Sequence, residues 1–177
     1  MAKCGSYTLA AIAKGCKDSS GGIKVVYIAD IDDIAGITAS TAETITNIAM
    51  TGSAKFVKWQ FAPQTATFTS TATISEENGT VFFQNDLALS FAKAEEIKRL
   101  QVMAATVGYT AVIVEDMNGK LWYMGYDNPV AATSAGADFG TALGDKQGYN
   151  ITLSDFSKTL PMVVDMTGEA LASIGVD

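Results

Sequence analysis

The residue types that carry most protein chemistry are scarce or scattered in this chain. It has no histidine, so the Ser–His and Cys–His pairs that activate nucleophiles near neutral pH are absent. No serine sits in a Gly-x-Ser-x-Gly elbow, and no Walker-type loop or Gly-x-Gly-x-x-Gly run offers a phosphate cradle. The densest carboxylate cluster is Asp30, Asp32 and Asp33, whose oxygens would suit Ca²⁺ or Mg²⁺. It departs from the EF-hand loop, because Ala35 stands where the turn requires glycine and Gly36 comes one later. The cluster therefore reads as a solvated strand end. Glu115 and Asp116 lie beside a turn, with no third group to set one apart as acid and the other as base.

Cys4 and Cys16 are the two cysteines, too few ligands for a tetrahedral zinc site. They fit two reduced thiols, which agrees with assembly in a cytoplasm, or a disulfide pinning the N-terminus. Trp59, Trp122, Tyr123 and Tyr126 alternate with other residues along strand-like runs. They read as core or interface anchors and not as a base-stacking platform. The residues thus predict no enzyme, no cofactor and no metal site.

At 177 residues, with 48 % apolar and 18 % charged side chains, the chain can bury one sizeable core without staples. So few solvating charges suit a protein that hides surface against copies of itself. A net charge of −7 argues against holding nucleic acid by charge neutralisation. The same charge suits a wall past which nucleic acid slides without sticking. The N-terminal run is interrupted by Thr8, Lys14 and Lys17, so neither a signal peptide nor a membrane span is predicted.

Two units are predicted, an arm over residues 1–21 ending in Ser19-Ser20-Gly21-Gly22 and a single β domain over 22–177. Strands are expected at 22–30, 44–50 and 55–61, the last closed by Pro63. A long hairpin is expected around Asn78-Gly79, a dipeptide that favours a two-residue turn. Counting outward sets Ile74 against Phe83, Phe68 against Leu89 and Ala66 against Phe91 on a mostly apolar face. The other face then carries Thr67, Thr69, Thr71, Thr73, Gln84, Asp86 and Ser90, a continuous polar stripe free of Lys and Arg. A helix is expected over 93–107, with Ile97, Leu100, Met103, Ala104 and Val107 packing on a sheet and Gly108 ending it. Strands at 109–115 and 121–125 are joined at Asn118-Gly119, setting Val114 against Tyr123. A small-residue loop over 127–138 follows, then strands at 148–153 and around Met162-Val163-Val164.

This order of a Thr-rich hairpin, one helix and a row of short strands resembles the tail tube proteins of tailed bacteriophages. The run Asp116-Met117-Asn118-Gly119-Lys120-Leu121-Trp122-Tyr123-Met124-Gly125, with Gly148-Tyr149-Asn150-Ile151-Thr152-Leu153 after it, is similar to small virion proteins of phages infecting gut Bacteroides-type bacteria. The resemblance implies a mainly β fold with one helix, a β-sandwich or barrel of tail-tube type. It implies stacked homohexameric rings in the virion, assembled in the host cytoplasm with other virion proteins. The hairpin would complete an inner barrel, its polar stripe facing a lumen that conducts DNA or a tape-measure protein. Needle tubes of contractile injection systems and head-to-tail connectors share that fold. A connector or capsid decoration protein is the nearest alternative; a carbohydrate-binding module using Trp59 and Trp122 is a more distant one.

Overall fold

The computed structural model describes residues 7, 9–40 and 43–165. It is mainly β with one helix. Two open sheets are built from eleven strands: β1 Ile23–Asp30, β2 Ile34–Ala39, β3 Thr44–Met50, β4 Val57–Trp59, β5 Ala66–Ser75, β6 Thr80–Ala92, β7 Thr110–Asp116, β8 Leu121–Met124, β9 Ala131–Asp138, β10 Gly148–Ser157 and β11 Met162–Val164. The helix α1 is Glu96–Val107. Residues 9–20 are exposed and belong to no helix or strand.

The larger sheet has the order β2-β3-β11-β8-β7-β1-β4, and the smaller the order β5-β6-β10-β9. Neither closes into a barrel among the described residues; they pack as a sandwich. Between them lie Val26, Val112 and Val114 of the large sheet and Leu87, Leu89, Ile151 and Leu153 of the small one, with Val102 and Ala105 of α1. Each of these Val, Leu and Ile side chains stabilises by about 1.5–3 kcal/mol. The exposed Lys24–Glu115 pair, 2.6 Å apart, contributes at most about 1 kcal/mol. Apolar burial therefore holds the sheets together.

A second cluster, with Val25, Tyr27, Ala111, Ile113, Ile45 and Tyr123, lies on the opposite face of the large sheet. Strands β1 and β7 are consequently buried on both faces, which explains their near-continuous apolar runs. Their antiparallel pairing shifts register between Ile23 and Val25, and that bulge turns Ile23 towards the sandwich interior. Most neighbours are antiparallel. The exception is β11, which lies parallel to β3, Val163 beside Thr44.

Both Asn-Gly hairpins form, with registers other than expected. In β5–β6, Ser75 pairs with Thr80 and Thr71 with Gln84. The turn is the four residues 76–79, with only Gly79 at positive φ, 61°. Asn78 stays at negative φ, so the turn is not the two-residue type that Asn-Gly favours. Every partner slides by two positions, giving Phe68 opposite Leu87 and Ala66 opposite Leu89. A slip of two keeps each side chain on its face. In β7–β8 the slip is one, and Val114 pairs with Trp122 where Tyr123 was expected. The cause is Asp116: its Oδ1 accepts the Asn118 and Lys120 amides at 2.8 and 2.9 Å. That Asx turn adds a residue to the loop and leaves Gly119 alone at positive φ.

Two further expectations are corrected. The segment 127–138 is not a loop; most of it is β9, laddered to β10 with a register shift at Thr152/Leu153. Its Ala, Ser and Gly residues have weak strand propensity, and the neighbour supplies the order. The helix also turns the other way. Val102 and Ala105 are buried, while Ile97, Leu100, Met103 and Val107 are exposed. Lys93, at φ 65°, donates its amide to the Gln147 carbonyl at 2.7 Å. The short link after it fixes where α1 starts, and small Ala105 meets the core instead of the bulkier stripe.

At the start of β10, Gly148 crosses β6 so closely that a Cβ there would lie 1.8 Å from the Phe91 carbonyl oxygen. Gly148→Ala should destabilise the fold by at least about 2 kcal/mol. Gly136→Ala, with nothing within 4 Å, should stay within about 0.5 kcal/mol of the parent in urea unfolding. Equal midpoints for the two variants would refute the close crossing.

Candidate functional site

The feature with most functional potential is the outward face of the small sheet. Strand alternation sends Leu87, Leu89 and Phe91 inward, and with them Ile151 and Leu153. The residues between them must point out. Thr67, Thr69, Thr71 and Thr73 of β5 are exposed; Gln84, Asp86 and Ser90 of β6 are half-buried beside them. Asn150, Thr152 and Ser154 of β10 extend the same polar surface across a third strand.

These groups bond to one another. The Gln84 amide nitrogen donates to both Asp86 oxygens at 3.1 Å. The Ser154 hydroxyl donates to Asp86 Oδ1 and stands 3.3 Å from Thr133 Oγ1. Lys146, from the β9–β10 connection, lies on this surface and donates to Ser90 and Asn150. The stripe drawn from β5 and β6 alone contains no cation; the folded surface gains one from a distant loop. The Asp86 carboxylate and the Lys146 ammonium are thus engaged within the face, while the β5 threonines present short neutral hydroxyls to solvent, a wall with little charge to hold a ligand. An aromatic pair, Phe82 and Phe156, with ring centroids 5.9 Å apart, bounds it at one end.

Strand lengths make the hairpin project. Pairing of β6 with β10 stops at Phe83–Ser157, yet β5 and β6 continue to Ser75–Thr80. The last three pairs, about 10 Å of ribbon, and the turn after them have no neighbour in β10. Ile74 and Val81 there are 67 % and 54 % exposed.

The other sequence candidates have structural work. Asp30 Oδ1 accepts the Asp32 amide at 3.1 Å, capping a 3₁₀ turn over Ile31–Asp33. Among the described residues, no group of three or more His, Cys, Asp or Glu could hold a metal ion. Glu115 accepts from Lys24 and from the Tyr27 hydroxyl. Burial, with the Glu115 charge second, pushes the Tyr27 phenol up to about 12. Burial pulls Asp116 upwards, but the Lys120 amide, the Trp122 indole and the Asn118 amide outweigh it and hold it below the usual range. Trp59 is buried in edge contact with Phe91, centroids 5.5 Å apart, and Trp122 is half-buried. Neither ring lies open as a sugar platform. Cys16 is exposed, and Cys4 lies outside the described residues. No helix among the described residues is long and apolar enough to cross a membrane.

Sequence reasoning missed a buried polar group behind the candidate face. Asp155 and Asn85 are cross-strand partners on the inward side, 2 % and 1 % exposed. Asp155 Oδ2 accepts the Gly125 amide at 2.9 Å, and the Asn85 amide nitrogen donates to Ser157 Oγ at 3.1 Å. Asp155 Oδ1, Asn85 Oδ1 and the buried Tyr123 hydroxyl have no hydrogen-bond partner among the described residues. Burial raises Asp155 above the usual carboxylate range against the pull of the Gly125 amide and of the neighbouring Asn85 side chain. That side chain lies close to the carboxylate without the geometry of a full hydrogen bond, and the charges of Asp127 and Asp86 push further. Asp155 was detectable as the one acidic residue on the inward phase of 148–157.

Comparison with protein-family models, with curated proteins and with solved structures finds no match.

A raised folded-state pKa means the fold favours the protonated acid. Its contribution is complete below the unfolded-state value and is lost as pH rises through the elevated folded-state value. Asp155→Asn keeps an acceptor for Gly125 without the charge. It should raise the unfolding free energy at about pH 7, where the parent must protonate Asp155 or bury its charge, and change it little at about pH 3. An equal effect at both pH values in urea titrations would contradict this account.

Proposed function

We propose that this chain is a structural subunit that assembles with copies of itself into a tube of tail-tube type. In this reading it is a virion component built in the host cytoplasm, and the polar face of the small sheet lines the lumen. The observation that carries the reading is that face. It is polar, its Asp86 and Lys146 are hydrogen-bonded to neighbours on the same face, and it sits on a sheet whose two edge strands, β5 and β9, each have one partner among the described residues. Free edges of this kind are a hazard in a monomer and an asset in a ring. Edge-to-edge continuation through six copies would give a wall of about 24 strands. At ~4.8 Å spacing its backbone diameter is roughly 37 Å before strand tilt widens it, enough room for a nucleic-acid duplex.

The charge pattern fits conduction. A wall whose one Lys bonds to Ser90 and Asn150, with Asp86 further along β6, gives phosphates little to hold. The partners would be neighbouring subunits, other virion proteins, and DNA or a tape-measure protein passing without specific binding.

Negative-stain microscopy and native mass spectrometry of the concentrated protein test the reading. Six-fold rings or hollow tubes support it. Rings of another order would shift the assignment to a connector, and a stable monomer would sink it. A second test concerns the wall itself. Thr69→Lys with Thr71→Lys should leave assembly intact and make the tubes retain duplex DNA at low salt, where the parent releases it. Parent tubes that already retain DNA would exclude a non-adhesive lumen.

A further inference from the structure

The two Asn-Gly dipeptides of this chain are held in opposite ways, and the difference bears on their own reactivity. Asparagine before glycine is a thermolabile pair, because a residue without a side chain leaves its amide nitrogen open to the neighbouring carboxamide. Asn78 and Asn118 are both exposed, so water and hydroxide reach either one. What separates them is hydrogen bonding.

The Asn118 carboxamide is clamped at both ends. Its Oδ1 accepts the Ser20 amide at 2.9 Å, and its Nδ2 donates to the Ser20 carbonyl at 2.9 Å. The pair copies the two-way exchange between antiparallel strands and fixes the plane of the side chain. The turn around it is equally engaged. Asp116 Oδ1 takes the Asn118 and Lys120 amides, and the Gly119 amide donates to the Asp116 carbonyl at 3.1 Å. The Asn78 carboxamide, by contrast, makes no hydrogen bond among the described residues. Its backbone amide reaches Ser75 Oγ, and the Gly79 amide reaches the Glu76 carbonyl, at 3.4 Å each, beyond the usual range of such bonds. This looser turn closes the overhang of β5–β6, past the last pair that β10 supports.

We infer that Asn78 is a site of spontaneous deamidation in the folded chain, and that the Ser20 clamp protects Asn118 from the same reaction. Hydroxide removes the Gly79 amide proton, and the nitrogen attacks Asn78 Cγ. A new C–N bond closes a five-membered succinimide, the carboxamide C–N bond breaks, and ammonia leaves after taking a proton from water. Water then opens the ring at either carbonyl, giving aspartate or isoaspartate. The balance is one water in and one ammonia out, with no oxidation or reduction. The product places a third carboxylate after Glu76 and Glu77 and adds one negative charge to a chain of −7. In isoaspartate the main chain also gains one carbon, which lengthens the turn. The change falls on the projecting tip, so it marks the age of a subunit without touching its core, and it does not depend on self-assembly.

Peptide mapping by mass spectrometry tests this on the full-length chain held at mildly alkaline pH, native and in urea, with aspartate and isoaspartate peptides separated by chromatography. In the native chain Asn78 should convert at least about ten-fold faster than Asn118, the factor set by having to open a hydrogen bond first. In urea the two rates should converge, because the clamp is gone and both asparagines precede glycine. Ser20→Pro removes the amide that Asn118 Oδ1 accepts. It should speed conversion at Asn118 and leave the Asn78 rate, an internal control for folding, unchanged. Equal native rates would overturn the inference. So would a contrast that persists in urea, since neighbouring residues and not the clamp would then cause it. A native Asn78 that stays intact while the unfolded chain converts would remove the site, and an unchanged Asn118 rate in Ser20→Pro would remove the clamp.

Discussion

The pairing of β6 with β10 is the constraint on which the rest of the molecule depends. The two strands run together over ten residues, from Phe83–Ser157 to Ala92–Gly148, and their inward side chains bury the sandwich interior. Backbones that cross this closely at Gly148 permit no side chain there. With one face committed to Leu87, Leu89, Ile151 and Leu153, the alternating residues have only the outer face left. The polar surface is thus a geometric consequence of the core. The overhanging hairpin follows as well, because β6 is three residues longer than the neighbour that supports it.

The same pairing carries the fold's least comfortable pair, Asn85 against Asp155. A carboxyl in this position costs stability when ionised. Its one strong partner, the Gly125 amide, comes from the large sheet's β8–β9 connection, at a residue of φ 94°. This hydrogen bond ties β10 of the small sheet to the connection that leaves the large one. A buried polar link of this sort fixes how the sheets sit relative to one another more than it stabilises them.

Local chemistry made much of the fold legible in the sequence. Apolar alternation located β1, β3, β7, β8, β10 and β11, and the threonine stripe of β5 fell on one face as expected. That face survived an error in register because the slip was two residues. At β7–β8 an identical Asn-Gly dipeptide slipped by one, and the difference lies in a single side chain, Asp116, that rewires the turn. What the sequence concealed was tertiary. The apolar stripe of α1 looked like a buried face, yet the short link after β6 turned Val102 and Ala105 inward. The strand β9 has no signal of its own and exists because β10 templates it. Lys146 reaches the polar face from a loop that no local pattern connects to it.

The parallel pairing of β11 with β3 bears on how the chain reaches its native state. Val163 and Thr44 are neighbours in the sheet but lie 119 positions apart in sequence. Closing so long a loop costs chain entropy before any contact compensates for it, which places this molecule among slow, high-contact-order folders. A chain still emerging from the ribosome holds β3 and β8 without the strand that belongs between them. The large sheet is therefore completed only once residues up to Val164 are available. Formation of the native large sheet thereby waits on the synthesis of β11.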